Sequence, residues 1–333
     1  MKTTPAFVNT SAVALRAMAD KSAGRETLWV ITLLCGLICL SAQTVHASEG
    51  GASFYFPGAW GSFGVALAPP SGFTFANQSL VYHADVNKAV LDGRVDLNLK
   101  VTAVYDLLTP LYTFEKPVLG AQYQIGAFIP VGYVKLDAGV GGSLGSRSGS
   151  ANDFNLGDIG IIPAALYWKA GDFHFKLMES IIMPTGHYDV NNTINVGRHY
   201  WGFDTLFGMT WLNPKTGTEI SALPGVMFNT ENPDTNYHTG NEFHLDFTFN
   251  QFLSKNFAVG FQGYYYQQIT SDSGSGAVLG DFKGESVGIG PAILWMPKFA
   301  DGKLAAIVKW LHDVEADNRL KGDWGQVTVS YNF

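Results

Sequence analysis

Polar and apolar residues alternate along much of this chain. Within residues 238–249, Phe243, Leu245, Phe247 and Phe249 face one way and Glu242, His244, Asp246 and Thr248 face the other. Residues 257–270 repeat the pattern, with Phe257, Val259, Phe261, Tyr265 and Ile269 on one face and Gln262, Tyr264, Tyr266, Gln268 and Thr270 opposite. A helix would scatter these sets around its circumference, so a period of two specifies strands. Residues 95–107 alternate as well. Val95, Leu97, Leu99, Val101, Ala103, Tyr105 and Leu107 form an apolar face predicted to point outward, and Asp96, Asn98, Lys100, Thr102 and Asp106 a polar face predicted to point inward.

Strands that are apolar toward lipid and polar toward a lumen, each ~10 residues long, are the units of a membrane barrel. Alternation places about twelve, near 72–87, 92–108, 117–138, 158–170, 172–183, 200–213, 217–229, 238–252, 256–271, 284–298, 303–313 and 323–333. The pattern is poor over 158–183 and 303–313, which keeps ten or fourteen strands as alternatives. The connections offer an independent test. Short ones (Gly171, 213–217, 254–255, 299–302) alternate with longer ones rich in Gly, Ser, Asn and Asp (139–157, 184–199, 230–237, 272–283). Short periplasmic turns and long outer loops are the expected asymmetry when both termini are periplasmic.

Composition sharpens this picture. Charged residues make up 15% of the 333-residue chain and aromatics 14%, whereas a soluble domain carries roughly 25% charged residues. No internal run approaches the ~18 apolar residues of a membrane helix, and a closed barrel is the other spanning structure that satisfies its backbone in lipid. One apolar run, Leu28 to Ala42, follows Lys2, Arg16, Lys21 and Arg25 and precedes Val45-His46-Ala47. That arrangement predicts a cleaved signal peptide over 1–47. Both cysteines, Cys35 and Cys39, lie within it, so the mature chain would have neither a disulfide nor a thiol nucleophile. The mature chain would hold 17 basic and 26 acidic residues, a net charge of −9, which argues against nucleic acid as a partner.

The expected fold is therefore all-β: a transmembrane antiparallel up-and-down β-barrel over 72–333. An N-terminal segment, 48–71, is either a periplasmic arm or a plug, with the plug preferred. The barrel would contact outer-membrane lipid and lipopolysaccharide. Its last strand alternates Val327, Val329, Tyr331 and Phe333 against Thr328, Ser330 and Asn332. Such a strand, ending in Phe333, looks like the signal read by the barrel assembly machinery. Trp201, Phe203, Trp211, Trp295, Trp310 and Trp324 fall near strand ends, as interfacial girdles would.

Particular residues add a resemblance. Glu49-Gly-Gly51, Tyr55-Phe-Pro-Gly58, Pro69-Pro-Ser-Gly-Phe73, Gly157-Asp-Ile159, Pro184-Thr-Gly-His-Tyr188, Thr235-Asn-Tyr237-His-Thr-Gly240-Asn-Glu-Phe-His-Leu-Asp246, Gly260-Phe-Gln-Gly-Tyr-Tyr-Tyr-Gln267 and Gly288-Ile-Gly-Pro291 occur in order. Together they resemble the meta-pathway phenol-degradation outer-membrane family. The resemblance implies a barrel that helps small apolar compounds cross the outer membrane and carries no catalytic residues over.

Chemistry is sparse. Glu242, His244 and Asp246 would share one lumen face, either as a polar ladder or, less readily, as metal ligands, because alternate inward residues stand ~6.5–7 Å apart. Gln262, Tyr264, Tyr266 and Gln268 would either fill the lumen or line an aromatic-stacking path for a solute. The seven residues together are the candidate solute path. No cofactor is expected. The Gly139–Gly145 run lacks the Lys-Ser/Thr of a phosphate loop. Passive uptake of small hydrophobic or aromatic compounds is the function expected. A structural or adhesive barrel, and then an outer-membrane hydrolase, are the alternatives.

Overall fold

The computed structural model describes residues 53–86, 89–91, 94–96, 99–142, 145–277 and 283–333. These belong to one compact unit, 45–333. The expected signal peptide lies outside the described residues. The strands in chain order are β1 (Gly72–Val86), β2 (Ala89–Leu91), β3 (Arg94–Asp96), β4 (Leu99–Thr113), β5 (Gln122–Gly142), β6 (Gly145–Leu156), β7 (Gly160–Ala170), β8 (Phe173–Ile182), β9 (Gly202–Asn213), β10 (Thr218–Asn229), β11 (Glu231–Asn232), β12 (Tyr237–His238), β13 (Glu242–Ser254), β14 (Phe257–Gln268), β15 (Glu285–Trp295), β16 (Leu304–Asp317) and β17 (Lys321–Asn332).

Twelve of them close an antiparallel barrel. The wall runs β1, β4, β5, β7, β8, β9, β10, β13, β14, β15, β16, β17 and back to β1, where Phe75 pairs with Tyr331. Chain end and strand start meet there: the Phe333 amide donates to the Phe73 carbonyl at 2.9 Å. Tight turns at the terminal end suit their sequences. Gly171 and Gly217 have φ of 64° and 74°, values that favour glycine, and the Asn213 side chain accepts the Lys215 amide at 2.9 Å.

The pleat follows the alternation on most strands. Phe207, Phe247, Phe249, Phe261 and Val327 are exposed outward, whereas Asp204, Glu242, His244 and Asp246 are buried inside. Three expectations are corrected. On β4 the apolar set, Leu99 to Leu107, faces inward, and Lys100 and Asp106 face outward. The outer neighbours at this loop end are polar too, with Lys135 and Asp137 on β5 paired at 2.8 Å and His312 bonded to Asp323 at 2.9 Å. The polar face therefore meets water there, and the apolar face meets other apolar groups inside. The stretch 139–157 is a hairpin rather than a loop: β5 runs to Gly142 and pairs with β6, so backbone pairing overrides a Gly/Ser-rich composition. Trp324 points inward and stacks on Tyr82 at 3.9 Å, while Trp201, Trp295 and Trp310 are exposed as girdle residues would be.

β5 changes partners along its length. Residues 131–142 pair with β6 and 122–128 with β7. At the switch the Gly157 amide bonds the Pro130 carbonyl at 2.8 Å. Proline occurs on three successive wall strands, at Pro110, Pro130 and Pro163. A proline removes a ladder donor, and the β5–β7 and β7–β8 registers shift close by.

Candidate functional site

Residues 53–66 pack against inward-facing side chains of the barrel wall and fill its axis; we refer to them as the plug. Ser53 accepts from Arg319 Nη1 at 3.4 Å near the loop end, and Phe63 meets Phe252 at the terminal end, with ring centroids 6.3 Å apart. The segment has no strand ladder of its own, so its backbone groups need lumen partners. It finds them: the Gly61 amide donates to Asp246, the Gly64 amide to Glu219 at 2.8 Å and the Ala66 amide to Thr210 at 3.1 Å. Lys309, buried on β16, donates to the Gly58 carbonyl and, at 2.5 Å, to the Gly61 carbonyl.

The seven sequence-predicted residues lie on β13 and β14, buried beneath this plug. His244 bonds Asp204 at 2.9 Å. Its ring stacks on Tyr55 at 4.1 Å, and the Tyr55 hydroxyl donates to Asp246. Tyr266 donates to Glu242 at 2.8 Å and Tyr264 to Asp313 at 2.5 Å. Gln268 donates to Asp272 at 2.5 Å, and Gln262 is buried on the same face. Glu242, His244 and Asp246 thus take separate partners instead of converging. Among the described residues no group of three His, Cys, Asp or Glu side chains could hold a metal ion.

Above the plug a cavity of about 190 Å³ opens among the outer loops. Its walls are Tyr82, Leu99, Val101, Ala103, Tyr105, Val134, Leu136 and Trp324. Its rim is Tyr188, Asn192 to Asn195, Gly197 and Leu320, and Arg198 and Arg319 reach its floor. The inverted pleat of β4 supplies the apolar wall. Sequence reasoning missed this site because the alternation marks two faces without saying which is inside. Arg319 stands 3.7 Å over the Tyr266 ring. Arg198 is held through its backbone: Asp158 accepts the amides of Gly186 at 2.9 Å and Arg198 at 2.6 Å. A Cβ on Gly186 would meet the Gly157 carbonyl carbon at 2.7 Å and the Gly197 Cα at 2.9 Å, so the loop can close only on glycines. Further out on that loop, the Asn191 amides hold the Asp189 carboxyl below its usual range.

A second, smaller cavity of about 40 Å³ shares Ser53, Phe56, Tyr105 and Arg198 with the first. It continues past Leu107 and Phe128 to Pro130 and Gly157, at the switch in the wall.

Ser273 Oγ lies 3.3 Å from His238 Nδ1, and His238 Nε2 lies 2.9 Å from the Asn229 carbonyl. His238 and Ser273 also exchange backbone hydrogen bonds, and a carbonyl rather than a carboxylate orients the ring. That geometry clamps two loops together.

The model of the family described as "Putative MetA-pathway of phenol degradation" matches residues 84–329, about three quarters of the chain. The chain belongs to this family. Among solved structures, the phenol-degradation family member is similar to the COG4313 outer membrane channel from Pseudomonas putida F1. The two share 14% identity over 84% of this chain and all of that one, with a TM-score of 0.65. A fainter likeness is to the translocator domain of the autotransporter NalP from Neisseria meningitidis, with 12% identity, coverage of 80% and 91%, and a TM-score of 0.42. No protein of curated function matches. The fold is that of outer-membrane barrels.

Proposed function

We propose that this chain is a non-catalytic outer-membrane channel for passive uptake of small apolar and aromatic solutes, with the mouth cavity as the capture site. The observation that carries this reading is the cavity itself: an apolar, aromatic-lined space at the loop end of a barrel whose central axis is filled. A ring entering it gains contact with Tyr82, Tyr105 and Trp324, and burial is worth roughly 25 cal/mol per Å² of apolar surface. Straight descent is blocked by Tyr55 and its partners. The smaller cavity leads sideways to the strand switch at Pro130 and Gly157, and exit there delivers an apolar solute into the membrane. Nothing in this route calls for an energy source. Of the seven buried β13 and β14 residues, His244 and Asp246 act in it as the floor that holds the plug. We propose cleavage after Ala47 and assembly through the C-terminal strand as the route to the membrane.

Entry of toluene into proteoliposomes tests the reading. Entry should exceed that into empty liposomes and fall when Leu136→Trp fills the cavity. Entry no faster than into empty liposomes, from a barrel shown folded by heat-modifiable gel migration, overturns it in favour of a structural barrel.

A further inference from the structure

The charge in the mouth cavity has a single sign. Of its 22 lining residues two are charged, and both are arginines, Arg198 and Arg319. No carboxylate lines the cavity, and those that interact with the arginines from outside it also accept hydrogen bonds from other groups. Glu242 accepts from Tyr266 at 2.8 Å. Asp313 accepts from Tyr82 at 2.8 Å, Tyr264 at 2.5 Å and the Gly322 amide at 3.0 Å. Among the described residues Arg319 forms no ion pair. Its guanidinium stands over the Tyr266 ring, 3.7 Å from the centroid, and donates one long bond to Ser53 at 3.4 Å; five N–H donors exceed those partners, which leaves donors for a ligand.

We infer that the cavity selects small amphipathic anions, an aromatic ring bearing one carboxylate, over neutral compounds of the same shape. The inference rests on the reading of this cavity as the capture site. A neutral hydrocarbon seated there would strip water from the Arg319 guanidinium and return nothing, which is costly. A carboxylate returns charge-assisted, bidentate hydrogen bonds, for which the arginine fork is suited and a lysine is not. The ring would then lie between the Tyr82–Trp324 stack and the Phe56–Tyr105 edge contact, whose centroids are 4.9 Å apart.

Calorimetric titration of the purified full barrel with 4-ethylbenzoate and with 4-ethylbenzyl alcohol distinguishes the cases. The carboxylate should bind at least about tenfold more tightly, the scale of a charge-assisted hydrogen bond. Arg319→Gln should bring that ratio toward one, and Arg319→Lys should restore little of it. Arg198→Gln, which leaves the Ser53 contact of Arg319 in place, is the second variant and should also reduce the ratio. Equal binding of acid and alcohol to the unaltered protein overturns the selectivity while leaving the cavity as a capture site. A preference that survives both Gln variants overturns the arginine assignment. Binding of neither compound to a folded barrel overturns both the selectivity and the capture site.

Discussion

At the residue scale, the plug depends on a few polar contacts that a neutral lumen could not provide. Lys309 is the clearest, a buried amine between the Gly58 and Gly61 carbonyls. Lys309→Met keeps the volume of the side chain but leaves two buried acceptors unmatched, at about 1–3 kcal/mol each. The expected outcome is faster amide exchange over residues 53–66 with the barrel strands unchanged, read by hydrogen–deuterium exchange mass spectrometry. Unchanged exchange would mean the aromatic contacts alone hold the plug. Gly225→Ala acts from the other side: its Cβ would meet His244 Cε1 at 2.3 Å, displacing the ring from Asp204 and from Tyr55. A similar loosening of the plug, without loss of the folded barrel, is expected in the same assay. The inward position of Glu242, His244 and Asp246 was legible because it depends only on a local period of two. Their partners were not, since Tyr55 is 191 residues from Asp246 and Gly58 is 251 from Lys309. Nothing in the local pattern around Lys309 or Arg319 distinguishes a buried cation from a solvated one.

At the scale of elements, alternation identifies a strand but not the face it turns inward. That choice depends on what covers each side. In the lower wall lipid covers the outside, so apolar Phe249 and Phe261 point out. Toward the loop end water covers the outside, and β4 presents Lys100 there instead. The mature chain's expected lack of cysteine makes the difference measurable. Lys100→Cys and Asp137→Cys should react with a membrane-impermeant maleimide on intact cells, and Phe249→Cys and Phe261→Cys should not. Reaction at Phe261→Cys, or protection at Lys100→Cys, would place the membrane elsewhere on the wall. The last strand carries a separate expectation. Phe333 is two-thirds exposed and its amide closes the ladder onto Phe73, so deleting it removes an outward aromatic and one closing hydrogen bond. Less heat-modifiable barrel should reach the outer membrane, while whatever does assemble should migrate normally on a gel.

At the scale of the whole molecule, strand number and plug together decide what kind of channel this is. Twelve strands enclose a lumen wider than side chains alone fill, yet far from the aqueous pores of sixteen-strand barrels. The remaining space is taken by Tyr55, Ala59, Ala66 and their neighbours, all buried. Strand count was legible to within the weakly alternating regions, because turns and periods are local signals. The packing of residues 53–66 in the lumen was not, because the segment has no period and its contacts lie on β9, β10, β13 and β16. The filled axis makes the last prediction. In planar bilayers the intact protein should pass little ionic current, because hydrated ions need a continuous water path and the plug interrupts it. Deleting residues 53–66 should raise the conductance severalfold, and Lys309→Met should produce intermittent openings of the same size. Toluene entry should respond differently: if solute leaves sideways past Pro130 and Gly157, opening the axis adds little for an apolar compound, while filling the mouth with Leu136→Trp still blocks it. Ion current and apolar uptake that rise together on plug deletion would instead assign both to the central axis and rule out the lateral route.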